Sequence, residues 1–112
     1  MKRWRKVSVG PFVFTVYLAT KEEAPELADN DGLCLCDKQI IYVNSQLPKE
    51  QRENTLLHEL QHAYFFAGGI GEYLGSLVGA EKVDAVEEAL VSLQTPYLFQ
   101  TLVAAGWKPP KI

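Results

Sequence analysis

The run His58-Glu59-Leu60-Gln61-His62 constrains the fold of this chain more than any other feature. On an α-helix, residues four positions apart share a face, so His58 and His62 can direct two imidazole nitrogens at one metal ion. Glu59 then stands beside the metal, where a general base for a metal-activated water belongs. The chain has two histidines in all, and both are in this run. The motif therefore predicts a helix with zinc ligands His58 and His62 and the catalytic base Glu59. A surface helix that carries the pattern by chance is the less favoured interpretation.

Size and composition predict one soluble domain over residues 1–112, with room for a single hydrophobic core. A net charge of -3 argues against a nucleic-acid partner that is bound by neutralising phosphates. No segment approaches the roughly 18 consecutive apolar residues of a membrane span. The N-terminus has no apolar segment typical of a secretory signal. We therefore expect a cytoplasmic protein with no membrane partner.

The two cysteines, Cys34 and Cys36, alternate along a predicted strand, which places both side chains on one face. A disulfide between them is not expected at that spacing. A C-x-C pair without a further cysteine or a spare histidine is also a weak metal motif. We interpret both residues as small buried apolar side chains.

Hydrophobic patterns predict an α+β fold. Alternating apolar residues over Lys6–Leu18, interrupted at Gly10-Pro11, fit two short strands or one bent strand. Two apolar runs, Leu33–Cys36 and Gln39–Val43, predict a β-hairpin. Together they indicate a small antiparallel sheet of about three strands, packed on the H-E-x-x-H helix and on a second long C-terminal helix.

The helical segments are bounded by proline and glycine. The motif helix is predicted to open at Ser45 or Pro48 and to stop at Gly68-Gly69. The glycine-rich segment 68–79 is expected to be a loop or a broken short helix. A second helix is predicted from about Ala80 to Leu93, with Pro96 kinking or restarting it before a short terminal helix over residues 97–105.

A hydrolytic zinc site needs three protein ligands and an open position for water, and no third histidine exists. The third ligand should therefore be a carboxylate from another helix. The candidates downstream of the motif are Glu72, Glu81, Asp84, Glu87 and Glu88. The adjacent pair Glu87 and Glu88 is preferred, because it lies in a helix long enough to pack against the motif helix. The two stand about 100° apart on the helix, so we expect one to face the metal, and helical angle mildly favours Glu87.

The reaction that this site predicts is hydrolysis of a peptide bond by metal-activated water, with Glu59 taking the proton. Such a reaction also needs a donor for the tetrahedral oxyanion. Tyr73 and Tyr97 are candidates for this role, although most tyrosines in a domain of this size simply pack.

The chain resembles small phage and prophage metallopeptidases that are related in plan to the ImmA/IrrE and SprT-like groups. The resemblance covers Gly32 to Leu102. It is carried by the hairpin that ends in Ile40-Ile41-Tyr42-Val43, by R-x-x-x-L-x-H-E-x-x-H-A over Arg52–Ala63, and by the helical pattern after Glu87. It implies a minimal gluzincin fold, with a small sheet on the motif helix and a glutamate ligand from the following helix. In the family pattern that glutamate stands three residues before an apolar valine, which transfers to Glu88 and Val91. The resemblance thus implies Glu88 as the third zinc ligand, with Glu87 as the alternative.

Three hypotheses follow for the function. The first is a Zn²⁺-dependent endopeptidase that acts on a protein or peptide substrate, such as a regulator in phage-host control. The second is a non-catalytic binding module that keeps the metallopeptidase fold and the zinc. The third is a protein with no metal, in which both histidines are surface residues. The intact Glu59 favours the first, because a purely structural site needs no base, whereas the small size of the chain favours the second.

Overall fold

A computed structural model describes residues 1–106 of the chain. This part contains the strands β1 (Lys2–Val9), β2 (Phe12–Ala19), β3 (Gly32–Leu35) and β4 (Ile40–Asn44) and the helices α1 (Lys49–Ala67), α2 (Ile70–Val78) and α3 (Val83–Ala104). Short 3-10 turns lie at Pro25–Leu27 and Cys36–Lys38. The predicted α+β class is confirmed, as are a helix that carries the motif and a long C-terminal helix.

The strands form one mixed sheet in the order β1-β2-β4-β3. β1 pairs antiparallel with β2 through a tight turn at Gly10 (φ 57°), and β3 pairs antiparallel with β4. β2 and β4 run parallel. The sheet thus has four strands rather than about three, and one of its pairs is parallel rather than antiparallel. The alternation of apolar residues identifies strands but does not show which strands pair. The segment from Thr20 to β3 leads the chain to the far edge of the sheet, and β4 then returns between β3 and β2, parallel to β2.

One face of the sheet and the inner face of α1 enclose the main core. Alternate residues of the two central strands point into it, as the period of two requires. Its buried side chains include Phe14, Val16, Leu18, Ile41, Val43, Leu56 and Ala63. Burial of each large apolar side chain contributes about 1.5–3 kcal/mol, so this layer fixes the position of α1 on the sheet.

The helical part resolves two alternatives that the sequence left open. The glycine-rich segment contains the helix α2, which is bounded by Gly69 (φ 71°) and Gly79 (φ 89°). Both flanking glycines have positive φ angles, which residues with a side chain rarely adopt. The helical conformation is therefore interrupted at these two positions and not within α2. α3 continues through Pro96 as a single helix instead of restarting there. Within residues 1–106, no helix is long and apolar enough to cross a membrane.

A buried ion pair ties the first strand to the motif helix. Glu53 of α1 is almost fully buried, and its carboxylate accepts two hydrogen bonds from the guanidinium of Arg5 in β1, one of them at 2.8 Å. The guanidinium also lies 4.1 Å from the ring centroid of Trp4. A bidentate contact of this kind fixes both distance and orientation, so it sets how α1 lies across the sheet.

Candidate metal centre

His58, Glu59 and His62 lie in the middle of α1, where the chain is helical as the motif requires. The rings of His58 and His62 are neighbours, with centroids 5.2 Å apart. The elements around them are the edge strand β3 on one side and the helix α3 on the other. The candidate site is therefore the space between α1, β3 and α3.

Glu88 of α3 reaches both histidines. One carboxylate oxygen, Oε1, lies 2.9 Å from His58 Nε2, and the other, Oε2, lies 2.8 Å from His62 Nε2. One nitrogen of each histidine and one oxygen of Glu88 all lie within 4.8 Å of one another. The Ser92 hydroxyl, one turn further along α3, donates to Oε1 of Glu88 at 3.2 Å. These three side chains form a cluster that could hold a metal ion.

Glu87 approaches His62 from the other side of its ring. Its Oε2 atom lies 2.5 Å from Nδ1 of His62. Burial alone would lower the pKa of His62, but the hydrogen bond to Glu87 and the nearby carboxylates of Glu59 and Glu88 raise it. A carboxylate on Nδ1 fixes the orientation and tautomer of the ring and directs Nε2 into the cluster. The two adjacent glutamates thus both reach His62, at different nitrogens.

The donor set suits zinc. Two imidazole nitrogens and one carboxylate oxygen are the ligands of many hydrolytic Zn²⁺ sites, and they leave a fourth position for water. His58, His62 and Glu88 would hold such an ion, since one ligand atom from each lies within 4.8 Å of the other two.

Glu59 is nearly buried beside this cluster, with 7% of its surface exposed. Burial raises the pKa of its carboxyl to about 7; His62 lowers the pKa and Glu88 raises it. The backbone N–H of Cys34 in β3 donates to the carboxylate, which also lowers the pKa. A carboxyl whose pKa lies near neutrality can take up and release a proton at ordinary pH, as a general base must.

Gly32 allows β3 to lie directly on this part of α1. A Cβ atom at this position would lie 2.6 Å from Cγ2 of Thr55 and 3.0 Å from both Cγ and Oε2 of Glu59. No L side chain fits there without displacing a neighbour. Motif analysis gives Gly32 no role in the site, because its contacts lie with residues far along the chain.

A buried hydrogen bond sets the alignment of α1 and α3. The side-chain N–H₂ of Gln61 donates to the Thr95 hydroxyl at 2.7 Å, and that hydroxyl donates to the carbonyl of Val91 at 2.7 Å. Gln61 and Thr95 are both buried. Thr95 lies two turns after Glu88, so this contact aligns α3 such that Glu88 stands opposite the histidines. Gln61 occupies a variable position of the H-E-x-x-H pattern, and the pattern alone therefore gives no sign of this role.

The cluster opens into a cleft of about 850 Å³. Its walls include Gly32, Cys34 and Cys36 from the β3 region and Asp84 and Ser92 from α3. Among the other candidates, Glu72, Glu81, Tyr73 and Tyr97 are not among its lining residues, and both tyrosines are largely exposed. The structure therefore does not bring either tyrosine to the site as an oxyanion donor.

Cys34 and Cys36 are half-buried in the cleft wall, not fully buried as predicted. Their sulfur atoms are 3.2 Å apart. The hydrogen bond between the thiols, together with burial, raises the pKa of Cys34, whereas the same hydrogen bond lowers the pKa of Cys36. Cys34 packs against the main core and also lines the cleft, and the turn at Leu35 places Cys36 beside it in the cleft wall, so neither side chain is fully covered.

The fold and the cluster define a class of protein with a small sheet, an H-E-x-x-H helix and a carboxylate from the next long helix. A family model described as Peptidase M78, IrrE N-terminal-like domain, matches residues 13–97. The chain belongs to this family, which is a family of metallopeptidases. The match begins in β2 and extends past Glu88 in α3, so it contains every residue of the cluster. No curated protein and no solved structure matches the chain significantly.

Proposed function

We propose that this protein is a zinc-dependent peptidase in which His58, His62 and Glu88 hold the ion and Glu59 is the general base. The observation that carries the proposal is the convergence of two Nε2 atoms and one carboxylate on a point beside a buried glutamate. Zn²⁺ bound there would lower the pKa of a water ligand and polarise the carbonyl of a substrate. Membership of a metallopeptidase family supports the same conclusion.

Glu59 has the properties that this role requires. Its carboxylate is buried beside the cluster, where it would accept a proton from the attacking water and return that proton to the amine nitrogen when the C–N bond breaks. The backbone N–H of Cys34 donates to the carboxylate and restricts its orientation. A non-catalytic zinc site would gain nothing from a buried carboxylate, whose desolvation destabilises the fold.

Glu87 is proposed to position His62 rather than to bind the metal. Its contact with Nδ1 leaves Nε2 of the same ring for the ion. Contacts of this kind orient a ligand and raise its basicity, and their loss typically reduces metal affinity by about 10- to 100-fold.

The proposed substrate is an extended segment of a protein, for example a flexible region of a regulatory protein. β3 is an edge strand of the sheet and lines the cleft, so a further strand could pair with its outer backbone groups other than the N–H of Cys34, which donates to Glu59. A peptide in extended conformation can add to such an edge through main-chain hydrogen bonds. This would present a backbone carbonyl to the cluster without requiring a particular side chain.

The test compares the wild-type protein with Glu59→Gln. This substitution keeps the size of the side chain and one acceptor oxygen but removes the carboxylate that takes up the proton. Both are loaded with Zn²⁺, metal content is measured by mass spectrometry, and a mixed-sequence peptide library is searched for new N-termini. We expect one zinc per chain in both proteins and cleavage by the wild type alone. Equal cleavage by both proteins would refute the role of Glu59. Zinc binding with cleavage by neither would support the binding module instead.

A matched pair of variants distinguishes the two adjacent glutamates. Glu88→Gln removes the proposed ligand, whereas Glu87→Gln removes the proposed contact to Nδ1. Zinc affinity is measured by competition with a chromogenic chelator. We expect Glu87→Gln to weaken binding by about 10- to 100-fold and Glu88→Gln to weaken it further. The reverse order would assign the ligand role to Glu87.

A further inference from the structure

Two thiols stand side by side in the wall of the metal cleft, and the proposed hydrolysis does not use them. The Sγ atoms of Cys34 and Cys36 are 3.2 Å apart, and both side chains are half-buried and line the cleft. The residue between them, Leu35, has φ -95° and ψ 83°. These angles are close to those of an inverse γ-turn, which brings together the residues on either side of its centre. The backbone therefore holds the two sulfur atoms in contact.

We propose that Cys34 and Cys36 form a redox modification site, in which a peroxide converts the two thiols into an intramolecular disulfide. One sulfur attacks a peroxide oxygen, the O–O bond breaks, and a sulfenic acid and a water are formed with hydrogen peroxide. The second sulfur then attacks the first, the S–S bond forms, the S–O bond breaks and a second water leaves. In total the thiols lose two electrons and two protons, and one peroxide is reduced to two waters.

The geometry favours this reaction over metal binding by the thiols. A disulfide bond is about 2.05 Å long, so the two sulfur atoms need to approach by roughly 1 Å. Among the described residues, the cluster suited to a metal is His58, His62 and Glu88, and neither cysteine is part of it. A disulfide that spans one residue closes a small ring, and strained disulfides of this kind are readily reduced again. The site is thus suited to reversible oxidation.

The disulfide would also affect the metal centre, a consequence that rests on the proposed peptidase function. The backbone N–H of Cys34 donates to Glu59, and Sγ of Cys36 donates to the carbonyl oxygen of His62 at 3.9 Å. Drawing the sulfur atoms together therefore moves one partner of the general base and one partner of a proposed ligand. A shift of about 1 Å at a catalytic group can reduce the rate by about a hundredfold. We expect oxidation to reduce peptide hydrolysis by at least about tenfold.

The first experiment detects the modification without reference to activity. Purified protein, loaded with Zn²⁺, is treated with hydrogen peroxide, alkylated with iodoacetamide and analysed by mass spectrometry with tandem fragmentation. We expect the treated wild type to lose the mass of two hydrogen atoms and to carry no alkyl group on either cysteine, and dithiothreitol to restore both sites. Recovery of two alkylated cysteines after treatment, or stepwise addition of oxygen in place of the disulfide, would overturn the proposal.

The second experiment measures the effect on hydrolysis, with Cys36→Ser as the control. Each protein is assayed on the mixed peptide library before and after peroxide, and each is compared with its own untreated rate. The wild type should lose activity and regain it with dithiothreitol, whereas Cys36→Ser should not lose activity reversibly. A disulfide that leaves the wild-type rate unchanged would overturn the link to the metal centre. If the reduced protein cuts nothing and binds no zinc but still forms the disulfide, the proposed function fails and the modification site stands.

Discussion

Substituting alanine for Gly32 tests whether the close approach of β3 to α1 shapes the site. The added methyl group would lie 2.6 Å from Cγ2 of Thr55 and 3.0 Å from Cγ and Oε2 of Glu59. Carbon atoms normally pack at about 3.5–4.0 Å, so strand and helix must separate by roughly 1 Å. Thr55 is β-branched and in a helix, so rotation of its side chain relieves little of the overlap. Overpacking of this extent costs about 1–3 kcal/mol.

We expect Gly32→Ala to lower the free energy of unfolding by about 2 kcal/mol and to reduce peptide hydrolysis by about a hundredfold, since Glu59 is displaced. Urea denaturation followed by circular dichroism measures the first, and cleavage of the peptide library measures the second. Adding Thr55→Ser removes the Cγ2 atom, so the double variant should recover most of the lost stability.

Gly75→Ala provides the matched control. Gly75 lies inside α2, where a Cβ atom would meet Val83 at ordinary contact distances of 3.8 and 3.9 Å. Alanine is a better helix former than glycine, so this variant should be more stable than the wild type by about 0.5–1 kcal/mol. Wild-type stability and activity in Gly32→Ala, or no recovery of stability on adding Thr55→Ser, would refute this role of Gly32.

Three further predictions follow from the same contacts. In the metal-free protein, the folded state binds a proton at Glu59 more tightly than the unfolded state does, because burial raises its pKa from 4.5 to about 7. The free energy of unfolding should therefore fall by about 3 kcal/mol as the pH rises through that range, and urea titrations of Glu59→Gln should lack this fall. Thr95→Val removes the acceptor of one N–H of the buried Gln61 amide, while the amide still donates to the carbonyl of Leu57 at 3.3 Å, and it should destabilise the protein by about 1–3 kcal/mol in urea denaturation, with Thr95→Ser close to the wild type. Arg5→Met leaves the carboxylate of Glu53 buried and unpaired and should cost about 3–5 kcal/mol by thermal unfolding, and a double variant with Glu53→Leu should recover much of it.

The pair Glu87 and Glu88 shows where inference from the sequence stops. A helical wheel places two adjacent residues about 100° apart, and this suggested that one of them faces the metal. The structure brings both to His62, because its ring offers a nitrogen on each side. The wheel gives the angle between the two side chains, but it does not give the position of the ring relative to α3.

The two cysteines show the same limit. Their alternation predicted that both lie on one face of a strand, but β3 ends at Leu35 and Cys36 begins a 3-10 turn. The turn at Leu35 brings the two sulfur atoms together, and it has no signature in the local sequence.

The sequence by itself determined the motif helix and its ends, the hairpin of β3 and β4, and the spacing that places His58 and His62 on one face. These features depend on interactions between residues a few positions apart, so the spacing of residue types along the sequence predicts them directly. Only the tertiary structure shows which carboxylate lies between the two rings and which wall of the cleft carries the thiols. It also shows that Thr55 and Glu59 leave no room for a side chain at residue 32. Those features depend on how α1, α3 and β3 lie against one another, which is set by core packing and by buried contacts between residues as far apart as Gln61 and Thr95.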